Sequence, residues 1–258
     1  EGNGEQLIPA WWTEEIGKMR VVIPEDEKKA LTHYAYHIKA GKEIFAAEGA
    51  FGQYLICFRD YPVAIGITAG ASEYLAADIC LKYIKEAVQI PCEKENLEEA
   101  QEKLEEKLVH LTLPKPEGDK KDTNEATKKL LNKRIVFTEN PRQIESAVIS
   151  TVGEELKLEL TVAGEKKILF AGYKDWKCND MYPNDFTKRY HAVSYAFDED
   201  ALYLSVGLLN TSYREEYCLW VNSENVVVGT WRPNVTYLPA EEDMTWKFTG
   251  TFEPSCIL

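Results

Sequence analysis

The stretch that decides the fold reads His191–Phe197 (HAVSYAF), Asp198–Asp200 (DED) and Ala201–Leu209 (ALYLSVGLL). Large apolar residues alternate with small or polar ones through both longer runs, which is the pattern of strands with one buried face. The acidic tripeptide between them is typical of a tight turn. We therefore predict an antiparallel hairpin as the building unit of this part of the chain.

Short runs of the same kind extend to both sides of this hairpin. They are separated by turn-forming residues such as Asn222-Ser223-Glu224. Many short strands at regular spacing predict an antiparallel barrel or sandwich over residues 134–258. The further strands predicted are Arg134–Phe137, Ser146–Thr151, Leu156–Val162, Lys166–Ala171, Glu216–Val221, Asn225–Trp231 and Thr245–Glu253.

The first third of the chain mixes helix and strand patterns. A short helix is predicted from Pro9 to Lys18, and a second one from Ser72, as its N-cap, to about Val88. The second helix carries an apolar stripe and is expected to pack across two hairpins. The strands of those hairpins are Thr32–Ala40 with Glu43–Ala47, and Gln53–Phe58 with Val63–Ala69.

The pattern divides the chain into three parts and gives an α+β fold class. Residues 1–90 form a partial antiparallel sheet with helices, and residues 134–258 form the all-β part. Residues 91–133 hold a charged helix, starting near Asn96 and running to about Leu108, and then a linker. The linker contains the Pro/Gly/charge stretch Leu113–Asp122, where we place the main boundary.

Composition narrows the choice of partners. The 258 residues are 45% hydrophobic with a net charge of −13, so a core can form while the average surface repels phosphate and anionic lipid. Nucleic acid and membrane are therefore not expected as partners, and no apolar run is long enough for a membrane helix. Six scattered cysteines read as reduced core residues and favour a cytoplasmic setting.

Motifs for metals and cofactors are sparse. His33 and His37 are the close histidine pair, and on a strand both would point to one face, where a metal would still need a third ligand from elsewhere. Sequences for a phosphate loop, a dinucleotide fingerprint or a nucleophile elbow do not occur. We therefore predict neither a bound metal nor a cofactor.

One segment is more specific than the rest. Ala47–Ile56 and Val63–Gly70 join two glycines to a hairpin that leads into a helix, and Tyr34-Ala35-Tyr36 supplies a preceding strand. Here the chain resembles the C-terminal part of the serine β-lactamase and penicillin-binding-protein-like hydrolases, in the subgroup with a β-rich C-terminal extension. The matching order continues through Asn140-Pro141, Ile168–Trp176, Ala201–Val206 and Tyr217–Val221.

The resemblance implies acyl-enzyme chemistry and a set of site residues at a sheet edge. By that alignment the N–H of Ala50 is an oxyanion donor, Gly49 and Gly52 let the backbone approach the acyl group, and Phe51 and Gln53 flank the pocket. A glycine-bearing strand edge without chemistry is the alternative interpretation of these five residues.

The chain departs from that family where the nucleophile should lie. No Ser is followed by Lys at the third position, and Thr112–Lys115 has the spacing but is broken by Pro. Tyr182-Pro183-Asn184 copies the family's Tyr-x-Asn element but comes too late in the chain, so we interpret it as a turn. Ala47 stands where the family has Lys or His. The resemblance thus implies a C-terminal fragment, inactive alone, whose nucleophile lies on a preceding segment of the same protein.

For such a fragment, the expected partner is the missing N-terminal catalytic segment, and self-association could mask apolar sheet exposed by its absence.

Two other functions remain open from the sequence. Alternatively the β domain is a non-enzymatic ligand-binding or interaction module, or a structural element that shapes the hydrolase entrance. Ligand binding is motivated by aromatic residues on alternating strands, which also suit a barrel core: Trp176, Tyr195, Tyr203, Trp220, Trp231 and Trp246.

Overall fold

The chain forms two compact units, Glu1–Leu111 and Thr112–Leu258, which divide just before the predicted linker. The predicted features at Ser72, Asn96 and Tyr182-Pro183-Asn184 lie outside the described residues. The computed structural model describes residues 5–24, 29–71, 76–89, 97–118, 125–179, 190–198, 200–236 and 244–254.

The first unit contains a six-stranded antiparallel meander in which each strand pairs with its neighbours in the order β1-β2-β3-β4-β5-β6. Both predicted hairpins and all three predicted helices are present among the described residues. The elements are α1 Ala10–Ile16, β1 Val21–Val22, β2 His33–Ala35, β3 Ile38–Ala40, β4 Ile44–Gly49, β5 Gln53–Phe58, β6 Ala64–Ile67, α2 Ala76–Ala87 and α3 Leu97–Val109.

The predicted single strand Thr32–Ala40 is wrong in its middle. Tyr36 and His37 adopt positive φ angles of 49° and 62°, which reverse the chain and split the run into β2 and β3. His37 therefore lies in a turn and does not share a strand face with His33. The expectation of one face carrying both histidines is corrected accordingly.

The core of the first unit lies between the sheet and α2. Ala77 of α2 is buried against a cluster that includes Ile44 and Ile56, so the prediction that this helix packs across the hairpins is confirmed. Asp78 accepts a hydrogen bond of 2.7 Å from the Ala30 backbone N–H, which ties the helix to the segment before β2. The charged helix α3 buries none of its residues.

The second unit is built almost entirely of strands. Every strand predicted downstream of residue 133 is present, with bounds that differ by a few residues at most. The elements are α4 Glu125–Leu130, β7 Arg134–Phe137, β8 Ile144–Val152, β9 Glu155–Val162, β10 Glu165–Tyr173, β11 Lys177–Asn179, β12 His191–Asp198, β13 Ala201–Leu208, β14 Arg214–Val221, β15 Val227–Pro233 and β16 Trp246–Phe252.

Nine of these strands close into a barrel. Antiparallel pairing runs in the order β10-β9-β8-β7-β16-β15-β14-β13-β12, and β10 then pairs with β12 in parallel. A ring with an odd number of strands that alternate in direction must contain one parallel pair, and here it joins Gly172 to Ser194 and Tyr173 to Tyr195. The prediction of an antiparallel barrel or sandwich is confirmed in its barrel form. The short β11 lies outside the ring and pairs with β12.

Strict alternation decides which side chains fill the barrel. On β12, for example, Val193, Tyr195 and Phe197 lie in the barrel core. At one end of the barrel α4 contacts β13 and β14, and its Leu130 is completely buried in the same core.

The described helices are all short or polar. None of them, over the described ranges, is long and apolar enough to cross a lipid bilayer.

Candidate functional site

A cavity of about 120 Å³ lies within the barrel. Most of its wall is aliphatic or aromatic, from inward-facing positions of successive strands, including Ile149, Leu158, Leu204, Leu219 and Phe248. A smaller set of polar side chains lines the same space: Arg142, Lys167, His191, Glu215 and Tyr217. An apolar cavity with a few convergent polar groups is the usual form of a small-molecule site.

Strand register places two of the polar groups. Glu215, Tyr217 and Leu219 occupy alternate positions of β14 and therefore share its inward face. Tyr217 lies opposite Trp231 of β15 in the antiparallel register. The buried carboxylate of Glu215 therefore lies at the polar end of the cavity, which we call the mouth. The apolar Leu219 lies deeper in the barrel.

The third polar group, Arg142, lies on the turn between β7 and β8, and the Asn140 side chain holds this turn in place. Asn140 is 9% exposed, and its amide donates to the carbonyl oxygens of Thr138 and Ile144 at 2.9 and 2.8 Å. Its Oδ1 accepts the Ile144 backbone N–H at 3.0 Å. Since a buried Asn that uses both ends of its amide fixes the local backbone, Arg142 is presented to the cavity from an ordered turn.

Arg142, Glu215 and Tyr217 form one connected cluster, with Trp231 packed against it. The Arg142 Nη2 atom lies 3.0 Å from Glu215 Oε1, and the Tyr217 hydroxyl donates to Glu215 Oε2 at 2.7 Å. The Arg142 guanidinium carbon lies 5.7 Å from the ring centre of Trp231, which packs 4.8 Å from Trp246. One positive and one negative charge are thus paired at the mouth, and the cluster has no net charge.

The surroundings favour the neutral phenol of Tyr217 and the charged guanidinium of Arg142. Burial, together with the negative charge of Glu215, raises the pKa of Tyr217 well above its usual value. Burial alone would lower the pKa of Arg142, but interactions with Tyr217 and Glu215 outweigh it and raise that pKa. Tyr217 therefore stays a hydrogen-bond donor, and Arg142 stays charged.

Two buried N–H groups in this region have no acceptor among the described residues. They are the Nε atom of Arg142 and the Nε1 atom of Trp231. A buried donor without a partner costs about 1–3 kcal/mol, so such groups are normally satisfied by something that occupies the adjacent space. The polar end of the cavity is therefore suited to an acceptor.

The residues singled out by the resemblance lie in the first unit, at the turn between β4 and β5. Gly49 ends β4 and pairs with Gln53, the first residue of β5, and Ala50 is exposed between them. Phe51 and Gly52 have φ angles of 61° and 85°, a conformation that suits glycine but is uncommon for Phe. The structure brings all five predicted residues together in one tight turn.

Local hydrogen bonds already engage part of this turn. The Gln53 side chain donates to the Ala69 carbonyl, and the Phe51 carbonyl accepts the Ala71 backbone N–H at 3.0 Å. β3 pairs with Phe45 and Ala46 of β4, so this part of β4 does not lie at a sheet edge. The predicted edge position therefore fits only the end of β4. An oxyanion role for Ala50 stays a prediction.

The aromatic residues predicted as core or ligand cage divide between the two faces of the barrel. Tyr195, Trp231 and Trp246 are buried inside it, whereas Tyr203 lies on the outer face with 38% of its surface exposed. The residues that sequence reasoning missed are Arg142, Glu215 and Tyr217. One sequence feature could have indicated this site: Glu215 is a carboxylate at a position that the alternation of its strand turns inward.

The remaining candidate groups are engaged locally. The Nδ1 atoms of His33 and His37 lie 2.8 Å from Thr32 Oγ1 and 3.2 Å from the Tyr34 hydroxyl oxygen. Over the described ranges no group of three or more His, Cys, Asp or Glu residues is arranged to hold a metal ion. Among the described cysteines, burial raises the pKa of the thiols of Cys57, Cys80 and Cys218.

Comparison with known proteins adds little to this picture. No family model matches the chain. No curated protein matches it. A search of solved structures finds a similarity to apo lipid binding protein 8 of Caenorhabditis elegans, with a TM-score of 0.38, 8% identity, and coverage of 49% of this chain and 96% of that chain. At this level the similarity supports no argument, and the barrel is defined here by its own strand pairings.

Proposed function

We propose that the second unit is a non-enzymatic binding module that holds a small, largely apolar molecule inside its barrel. The observation that carries this proposal is the apolar cavity between the buried core and the paired charges of Arg142 and Glu215. Apolar walls supply affinity by burial, and a few fixed polar groups at one end set orientation.

The cavity size indicates the scale of the ligand. Its volume of about 120 Å³ is of the order of engineered apolar cavities that take up benzene or xenon. We therefore expect a single aromatic ring or a short aliphatic chain, and not a long acyl chain, unless the walls move apart on binding.

A cavity-filling variant tests the proposal directly. Ala147 lines the cavity and is 4% exposed, whereas its neighbour Val148 faces away from the cavity on the same strand. Ala147→Leu should abolish binding of toluene measured by ligand-observed saturation-transfer NMR, because the added carbons occupy the ligand volume. Val148→Leu is the matched control and should bind toluene as the unaltered chain does.

Two results would contradict the proposal. One is the absence of saturation transfer to toluene in the unaltered chain. The other is equal transfer in the Ala147→Leu variant and the control, which would place the binding elsewhere.

The hydrolase function implied by the sequence resemblance is kept as a separate prediction. What supports it is the order of the motifs around Gly49 and Gly52 and in the second unit. Because this chain carries no Ser-x-x-Lys sequence, we expect no covalent adduct with a penicillin or a fluorophosphonate. Mass spectrometry of the treated chain checks this, and a seryl adduct would show that the nucleophile is present here.

A further inference from the structure

We propose that the polar group of the bound molecule is an uncharged hydrogen-bond acceptor, such as the carbonyl of an amide or a ketone, received by the Nε–H of Arg142. This inference rests on the proposed function and names the chemistry of its ligand. It excludes a carboxylate as the preferred group at this position.

Charge at the mouth argues against an anion. The positive charge of Arg142 is already matched by Glu215, whose Oε1 lies 3.0 Å from Nη2. Tyr217 donates to the other oxygen of the same carboxylate and so holds it in place. A ligand carboxylate at Nε would lie beside Glu215, and the repulsion between two carboxylates offsets the attraction of the guanidinium.

Unused donors argue for an acceptor. The Nε–H of Arg142 is buried and has no acceptor among the described residues, and Arg142 is one of the residues that line the cavity. The indole N–H of Trp231 is a second such donor, and its ring lies against the same guanidinium at 5.7 Å. A neutral carbonyl satisfies a donor without placing another charge beside the paired charges of Arg142 and Glu215.

Two further nitrogen-bearing side chains in the cavity wall define the competing outcome. Lys167 of β10 and His191 of β12 line the same cavity. If either attracted an anion more strongly than Glu215 repels it, a carboxylate ligand would be preferred. The two possibilities predict opposite preferences between an uncharged ligand and an anionic one. Two probes of nearly equal size and shape can therefore separate them.

The probes are benzamide and benzoate, which differ in charge but hardly in volume. Titration at pH 7 is followed by Trp fluorescence, since Trp231 and Trp246 lie beside the cluster. We expect benzamide to bind at least tenfold more tightly than benzoate. Benzoate binding as tightly as benzamide, or more tightly, would overturn the inference.

Two substitutions test the assignment to Arg142 and Glu215. Glu215→Gln removes the negative charge but keeps an acceptor for Tyr217, and should shift the preference toward benzoate by tenfold or more. Arg142→Lys keeps the positive charge but loses the Nε–H, and should weaken benzamide binding while toluene binding is retained. Lys166→Gln, at an exposed position of β10 outside the cavity lining, is the control and should leave the benzamide-to-benzoate ratio unchanged.

Failure of this inference can be told apart from failure of the proposed function. If toluene, benzamide and benzoate all fail to bind, the binding module itself is refuted. If toluene binds and the benzamide-to-benzoate ratio is unaffected by Glu215→Gln, only the head-group assignment is refuted. Circular dichroism of each variant verifies that the barrel is intact before the ratios are compared.

Discussion

Glu215 is the residue that holds the polar end of the barrel together. It is 7% exposed and accepts from Arg142 with one oxygen and from Tyr217 with the other. A buried carboxylate is tolerated only when its oxygens are paired in this way. Each of its two donors is therefore needed for stability as well as for the shape of the site.

Removing one donor tests this dependence. Tyr217→Phe leaves Glu215 Oε2 without the hydroxyl donor and should lower the free energy of unfolding by about 1–2 kcal/mol. Urea unfolding at pH 7 measures the loss. Tyr190→Phe is the control, since Tyr190 is 44% exposed, and it should change the free energy of unfolding by less than about 0.5 kcal/mol. A similar loss in both variants would contradict the role given to Tyr217.

The raised pKa of Tyr217 predicts an alkaline effect with a definite sign. In the folded chain this pKa lies above the ordinary value of 10.0, so the favourable contribution of the neutral phenol is complete below about pH 10. Above that pH the unfolded chain loses the proton first, and the free energy of unfolding falls by about 1.4 kcal/mol per pH unit until the folded phenol ionises. Urea unfolding at pH 9 and pH 11 should show a fall that is about 1.4 kcal/mol smaller in Tyr217→Phe.

At the scale of the elements, the packing of β15 against β16 depends on a glycine that has no side chain. Gly229 faces the barrel interior, and a Cβ atom built there would lie 2.4 Å from the ring of Phe248. The Phe248 ring occupies the space over the glycine and also lines the cavity. Glycine is thus required at this position by close approach of a ring and not by its backbone angles.

Gly229→Ala should therefore act on both stability and binding. Because the ring must shift, we expect a loss of about 1–3 kcal/mol in the free energy of unfolding and a weaker affinity for toluene. Thermal unfolding and NMR titration measure the two effects. Gly66→Ala is the control, since no atom lies within 4 Å of its Cβ position. Unchanged toluene affinity in Gly229→Ala would indicate that Phe248 does not shape the cavity.

The elements also show where sequence reasoning succeeds. Alternation predicts all nine strands of the barrel, because one buried face imposes a period of two on each strand. It misses β11, which has three residues and is held by the Asn179 side chain as well as by backbone pairing. It also misses the turn at Tyr36 and His37, since neither residue type signals positive φ. Arg142 was not predictable, because a turn residue joins the site only once the ring has closed.

At the scale of the whole molecule, the two units have cores of different size. Among the described residues the barrel core contains eighteen buried side chains and the core of the first unit contains seven. Since burial of apolar surface is the main source of stability, the first unit should open more readily than the barrel.

Hydrogen exchange on the full chain tests this ordering. Amides of β4 and β5 should exchange through opening events of lower free energy than amides of β12 and β13. Mass spectrometry of peptides from the two regions under native conditions measures the difference. Equal protection in both regions would mean that the two units unfold together.

The pairing of β7 with β16 brings the first and last strands of the barrel together. The Glu253 backbone N–H donates to the Arg134 carbonyl at 2.9 Å, so the point where the chain enters the ring adjoins the point where it leaves. The barrel consequently has no obligatory first strand. The same cyclic arrangement of neighbours would be preserved in a circular permutant that keeps α4, in which a flexible linker joins Glu253 to Glu125 and the new ends lie at the Gly153 hairpin.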